Sequence, residues 1–104
     1  MTTAQVHVPF EQLADFCRRW QVTELALFGS VLRPDFNAAS DVDVLVTFAP
    51  AARPTLFDLA EMQDELERLF GRPVDLLTKR GVQESPNFLR RKAILESAQV
   101  IYAA

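Results

Sequence analysis

The chain of 104 residues has a single cysteine, no net positive charge and no long apolar run. Its one cysteine, Cys17, cannot form a disulfide within the chain, which favours a reducing compartment. No N-terminal segment combines basic residues with a long apolar stretch, and no run reaches the ~18 apolar residues of a membrane helix. We therefore expect a cytoplasmic protein without a signal peptide or a membrane partner. A net charge of −3 also argues against a general nucleic-acid surface, so no direct nucleic-acid binding is expected.

Charge is distributed unevenly along the chain. Residues 1–76 carry 6 of the 11 basic and 12 of the 14 acidic side chains, which leaves 5 basic and 2 acidic side chains for residues 77–104. A solvated basic helix is the simpler interpretation of this excess. The wall of a phosphate site and a docking face for an acidic partner are alternatives that the composition leaves open.

Apolar residues make up 49% of the chain, and they recur with periods that predict a folded core. The pattern predicts helices over Phe10–Trp20, over Leu56–Phe70 and from Phe88 to about Leu95, and strands over Leu25–Phe28, Val42–Phe48 and Val74–Leu77. The apolar tail 100–102 could form a last turn or a strand. This order predicts one α/β domain over residues 1–104, a small mixed sheet flanked by helices.

Two aspartates accompany the clearest of these strands. Asp41 and Asp43 are two residues apart, so an extended strand points both side chains to one face, with Cα atoms roughly 6–7 Å apart. Carboxylates at this spacing repel each other, and aspartate is poor in strands. Magnesium would compensate, because it takes carboxylate oxygens and brings substrate phosphates as further ligands. Taken alone, such a pair is more often an exposed strand end.

A third carboxylate and a glycine–serine pair strengthen this indication. Asp75 lies inside the apolar strand Val74–Leu77, where an aspartate has no structural advantage. Three carboxylates on neighbouring strands could hold two metal ions about 3.5–4 Å apart. Gly29-Ser30 follows the first strand, where glycine allows close backbone approach to a phosphate and serine offers a hydroxyl and an N–H. A lone Gly-Ser is usually an ordinary turn at the end of a strand.

Together these parts form a recognisable signature. Gly29-Ser30 is followed after ten residues by Asp41-Val42-Asp43, and then by a strand that carries Asp75. The combination resembles the nucleotidyltransferase signature of the DNA polymerase β superfamily, and within it the minimal nucleotidyltransferases, which include antitoxins paired with HEPN-domain proteins. The stretches Leu27–Arg33 and Ser40–Val46 carry the resemblance, and the element order and short length extend it over nearly the whole chain.

The resemblance implies a role for each acidic residue. Asp41 and Asp43 would bind two magnesium ions, and Asp75 would bind the ion nearer the attacking hydroxyl and help to deprotonate that hydroxyl. Retention of all three carboxylates favours an active enzyme. The implied nucleotide substrate is ATP.

The same resemblance assigns the loop after the first strand to the nucleotide. Gly29 and Ser30 would hold the triphosphate, and Arg33 would assist electrostatically near the phosphates, although a plain surface arginine is an equally open interpretation. Many relatives follow this arginine with glycine. Here Arg33 precedes Pro34, which stiffens the loop without removing a ligand.

The antitoxin branch implies a specific reaction. Its members are thought to silence a HEPN-domain toxin by attaching AMP from ATP to a tyrosine hydroxyl, so a hetero-oligomer with that toxin is expected. The short chain has no acceptor-binding domain, which also places the acceptor on another chain. A non-catalytic antitoxin that inhibits its partner by binding alone is the alternative. A stand-alone enzyme for small molecules is disfavoured by the missing domain.

Overall fold

The computed structural model describes residues 2–3, 6–29 and 40–104. Its elements in chain order are β1 Thr2–Thr3, β2 Val6–His7, α1 Phe10–Trp20, β3 Val22–Phe28, β4 Val42–Phe48, α2 Leu56–Phe70, β5 Val74–Thr78, α3 Lys79–Gln83, α4 Phe88–Ser97 and β6 Gln99–Ala103. Strands β3 to β6 form a sheet in the order β5-β4-β3-β6, while β1 and β2 pair with each other. Strand β3 runs antiparallel to β4 and β6, and β4 runs parallel to β5. The predicted α/β class with a small mixed sheet is confirmed.

Helices cover both faces of this sheet, and the alternation along β4 assigns its residues to the two faces. Val44 and Val46 are fully buried in a core that they share with α1 and α2. Leu45 points the other way, into a smaller core that contains Val82 of α3 and Ile94 of α4. The sheet is therefore a middle layer between two pairs of helices, and the residues that alternate with Val44 and Val46 face α3 and α4.

Helix α2 has the bounds that the apolar periodicity predicts, and both of its ends are capped. The Thr55 hydroxyl accepts a hydrogen bond from the Asp58 N–H at 3.1 Å, and the Asp58 carboxylate accepts one from the Thr55 N–H at 2.9 Å. This reciprocal pair is a capping box. Gly71 ends the helix with φ +70°, the left-handed conformation that glycine adopts readily. None of the described helices is long and apolar enough to cross a membrane.

A polar contact joins α1 to α2 at the edge of the core. The Arg19 guanidinium forms an ion pair with the Glu65 carboxylate, and the Trp20 indole N–H donates to the same carboxylate at 3.2 Å. The hydrogen bond from Arg19 is the main reason that the pKa of Glu65 lies below its usual value. This contact fixes the two helices that cover one face of the sheet.

The C-terminal third differs from the sequence-based prediction in detail. Lys79 and Arg80, where the sequence pattern predicts neither a helix nor a strand, begin the short helix α3, because Thr78 caps it by accepting a hydrogen bond from the Gly81 N–H at 3.0 Å. Helix α4 has Asn87 as its N-cap and extends beyond the predicted end. The apolar tail forms the strand β6, which pairs with β3.

Candidate active site

The sheet register brings two of the predicted acidic residues together. Asp43 on β4 and Asp75 on β5 are partners in the parallel pairing, so they occupy adjacent positions on neighbouring strands and face the same side of the sheet. Neighbouring strands lie about 4.8 Å apart, so their carboxylates are near neighbours. Asp43 is partly buried and Asp75 is exposed, so the Asp75 side chain is accessible from solvent. Two like charges this close favour a bound cation.

Gly29 lies directly against the Asp43 carboxylate of this pair. Phe28, the last residue of β3, is the antiparallel partner of Asp43, so Gly29 leaves the strand beside it. A Cβ atom added at Gly29 would overlap the Asp43 Oδ2 atom and lie 3.2 Å from its Cγ atom. Gly29 also has φ +71°, a left-handed conformation that L side chains rarely adopt. Glycine is thus required here both because the Asp43 carboxylate fills the space of a side chain and because the backbone is left-handed. The sequence pattern alone reveals neither reason.

Main-chain and side-chain contacts hold the two acidic strands at this end of the sheet. The Val42 N–H donates to the Pro73 carbonyl at 3.0 Å, and the Val74 N–H donates to the Glu67 carboxylate at 3.0 Å. The Arg72 guanidinium reaches the Ser40 carbonyl at 3.5 Å. Sequence reasoning missed the positioning role of these residues, since each contact joins segments whose proximity appears only in the fold.

The structure describes the remaining predicted site residues to different extents. Asp41 is exposed and lies immediately before β4, two residues from Asp43. Ser30 and Arg33 lie outside the described residues. Within residues 6–29 and 40–104, no three Asp, Glu, His or Cys side chains are grouped closely enough to hold a metal ion. The complete three-carboxylate, two-metal site therefore stays a prediction.

The donor chemistry nevertheless fits magnesium. Oxygen is the ligand that this ion prefers, and one or two protein carboxylates with substrate phosphates complete a typical magnesium site. Asp43 and Asp75 offer such oxygens from adjacent strands. Because Gly29 has no side chain, the Asp43 carboxylate can pack directly against the backbone at the end of β3. This arrangement can position a polyphosphate through a metal ion.

Comparison with known proteins assigns the chain to a family. The sequence profile described as a nucleotidyltransferase domain matches residues 11–101. The protein adenylyltransferase MntA of Thermococcus cleftensis is 38% identical over 65 residues, which are 62% of this chain and 64% of that protein. A candidate protein adenylyltransferase of Methanocaldococcus jannaschii is 31% identical over 80 residues, 77% of this chain and 81% of that protein. The chain thus spans about two thirds of the first of these relatives and more of the second.

Solved structures share the same fold. A structure described as a candidate minimal nucleotidyltransferase has a TM-score of 0.65 and 34% identity, covering 86% of this chain and 85% of that chain. A toxin–antitoxin complex with AMP-PNP has a TM-score of 0.69 over 93% of this chain and 75% of that chain, at 16% identity. The second likeness concerns the fold alone. The profile, the relatives and the fold agree that this chain belongs to the nucleotidyltransferase domain family and is similar within it to the minimal nucleotidyltransferases.

Proposed function

We propose that the chain is a protein adenylyltransferase that moves AMP from ATP onto a tyrosine hydroxyl of a HEPN-domain toxin, and that it acts as the antitoxin of that toxin. One observation carries the proposal: Asp43 and Asp75 are register partners, and Gly29 lies against the Asp43 carboxylate. A nucleotidyltransferase needs this grouping of carboxylates beside a close-approach glycine.

The proposed reaction is a displacement at phosphorus. The acceptor hydroxyl oxygen attacks the α-phosphorus of ATP, the bond from that phosphorus to the bridging oxygen breaks, and pyrophosphate leaves with the electron pair. Asp75, the exposed carboxylate, accepts the hydroxyl proton. Asp43, held beside Gly29 on the neighbouring strand, is a carboxylate that would hold magnesium, and magnesium would supply the attraction for the phosphates. Positioning and charge neutralisation are the main contributions of a protein to such a step.

Asp41, Asp43 and Asp75 are the residues that would hold two magnesium ions. When bound, magnesium neutralises the charge that develops on the attacking and leaving oxygens. The remaining contacts of the nucleotide are assigned to Gly29, Ser30 and Arg33.

Relatives support the choice of acceptor and nucleotide. The similar protein of Thermococcus cleftensis is named as a protein adenylyltransferase. Structural neighbours include an MntA–HepT toxin–antitoxin complex, and another toxin–antitoxin structure contains AMP-PNP, an analogue of ATP. These names describe other proteins, and they motivate the same partner and nucleotide for this chain.

The test is an adenylation assay with the HEPN-domain toxin of the same genome. The full chain is incubated with ATP, magnesium and the purified toxin, and the intact mass of the toxin is measured. We expect the mass to rise by whole adenylate units, with tyrosine as the modified residue. Excess chelator and Asp43→Asn should each abolish the change. A toxin that is inhibited but keeps its mass would instead show a non-catalytic antitoxin.

A further inference from the structure

Two adjoining clefts form a groove along the C-terminal half of β5. One cleft, of about 340 Å³, and another, of about 460 Å³, share Leu59 and Thr78 as lining residues. Leu77, which lines the first cleft, lies two residues along β5 from Asp75. That separation is roughly 6–7 Å along a strand. We call the two clefts together the basic groove. A molecule that enters the first cleft would therefore lie near the proposed reaction site, while the second cleft extends away from it.

The lining of the basic groove is positively charged. Its charged lining residues are all basic: Arg90 and Arg91 in the first cleft, and Arg53, Lys79 and Arg80 in the second. No described aspartate or glutamate lines either cleft. The groove therefore has a marked local excess of positive charge, although the net charge of the whole chain is −3. Most of the basic C-terminal segment therefore converges on one surface.

Much of this charge is not neutralised within the described part of the chain. Arg80 forms an ion pair with Glu84 at 3.3 Å. Arg91 donates to the Ser85 carbonyl at 2.7 Å, which orients its guanidinium without cancelling its charge. Lys79 and Arg90 form no side-chain hydrogen bond or ion pair with any described residue. The groove thus presents cations that an anionic partner can engage.

Exposed apolar side chains border the same groove. Leu56 and Phe57 are 83% and 88% exposed in the first turn of α2, between the groove-lining residues Pro54 and Leu59. In the first turn of α4, Phe88 and Leu89 are likewise exposed, between the lining residues Ser85 and Arg90. These four are among six large apolar side chains that are exposed in the described residues. Their concentration around one groove is typical of a protein-binding surface.

We propose that the basic groove docks an acidic segment of the acceptor protein, one that carries leucine or aromatic side chains among its carboxylates. This proposal rests on the proposed function, because it places the acceptor next to Asp75. The carboxylates of the segment would pair with Lys79 and Arg90, and its apolar side chains would cover Phe57 and Leu89.

The observations favour a protein partner over RNA. RNA also has negative charge and its bases could stack on Phe57, but it offers no aliphatic group to cover the exposed Leu56 and Leu89. A net charge of −3 would weaken binding to a polyanion outside the groove. An acidic protein segment satisfies both the cations and the apolar rim.

The test measures the affinity of variants of the full chain for the HEPN-domain toxin. The parent and every variant also carry Asp43→Asn, so that no transfer occurs during the measurement. Lys79→Glu combined with Arg90→Glu should raise the Kd roughly tenfold or more and weaken its dependence on salt. Phe57→Ser combined with Leu89→Ser should also raise the Kd, with little effect of salt. All four side chains lie at the surface, and melting curves check that each variant folds.

A matched control has the same change in charge elsewhere. Arg18→Glu combined with Arg68→Glu alters two exposed arginines that line neither cleft, so its Kd should stay within about twofold of the parent. With Asp43 intact, the groove variants should raise the KM for toxin and leave kcat at saturating toxin unchanged.

Three results would overturn the docking surface. Equal affinity of the groove variants and the control would refute it while leaving adenylyl transfer untouched. Loss of binding to a 20-nucleotide single-stranded RNA, with unchanged toxin affinity, would reassign the groove to RNA. A parent chain that forms no complex with the toxin would remove the proposed partner, and this surface with it.

Discussion

Replacing Gly29 by alanine should damage both the stability of the fold and the proposed catalytic site. The added Cβ atom would overlap the Asp43 carboxylate, and the residue would have to keep φ +71°. A side chain in the left-handed conformation costs about 1–2 kcal/mol. Moving the Asp43 side chain off its rotamer adds about 0.5–1.5 kcal/mol. At about 4–8 °C per kcal/mol, the melting temperature should fall by roughly 6–28 °C.

Gly71 provides a matched control for the backbone cost. It has φ +70°, but a Cβ atom there would meet nothing within 4 Å. Gly71→Ala should therefore lose only the conformational part, about 1–2 kcal/mol, and keep full transfer activity. Gly29→Ala should lose more stability and at least about 100-fold in transfer, because a catalytic group displaced by 1 Å can cost that much.

A double-mutant cycle isolates the contact between Gly29 and Asp43. Asp43→Ala removes the atoms that the new Cβ atom would overlap, so Gly29→Ala should destabilise that background only as much as Gly71→Ala destabilises the wild type. Thermal melts and chemical denaturation of the four proteins give the coupling. If Gly29→Ala and Gly71→Ala were equal in stability and in transfer rate, the close approach to Asp43 would have no consequence and this reasoning would be wrong.

Three further predictions concern the scaffold. The hydrogen bond from Arg19 is the main cause that lowers the pKa of Glu65 in the folded protein. The ionised Glu65 side chain therefore stabilises the fold at pH values above its unfolded pKa of about 4.3, and this stabilisation is lost as the pH falls through the lower pKa of the folded protein. The melting temperature of the wild type should therefore fall more than that of Glu65→Gln on acidification, and parallel curves would contradict this. Burial raises the pKa of the Cys17 thiol to about 12. Iodoacetamide at mildly alkaline pH should therefore label this thiol only after the protein unfolds. Rapid labelling of the folded protein would refute the burial. Thr55→Ala breaks the capping box and should cost about 0.5–2 kcal/mol in the free energy of unfolding, and an unchanged denaturation midpoint would show that the cap is dispensable.

Local patterns predict much of this fold because the physics that determines them is local. Apolar periodicity with a terminal glycine predicts α2 to its observed bounds, and alternation predicts β4. The short helix α3 escapes prediction, since it depends on the Thr78 cap and contains Gly81, a residue of low helix propensity. The tail 100–102 is ambiguous in sequence, because only its pairing with β3 selects a strand.

The sequence predicts which acidic residues form the candidate site, but it does not reveal how they are arranged. The adjacency of Asp43 and Asp75 is a matter of register between strands that are separated by the whole of α2. The contact of Gly29 with Asp43 depends on the antiparallel pairing of β3 with β4. The basic groove likewise joins Arg53 to the C-terminal segment only after folding. Each of these results from tertiary packing, which periodicity does not encode.

The most direct test of the central claim follows the fate of each phosphate of ATP. The full chain, magnesium and the HEPN-domain toxin are incubated with ATP labelled either at the α- or at the γ-phosphate, beside the Asp43→Asn and Asp75→Asn variants. We predict that the toxin acquires the α-label and never the γ-label, that pyrophosphate forms in equal amount, and that both variants are inactive. Transfer of the γ-label, or full α-label transfer by either variant, would contradict nucleotidyl transfer at this pair of carboxylates.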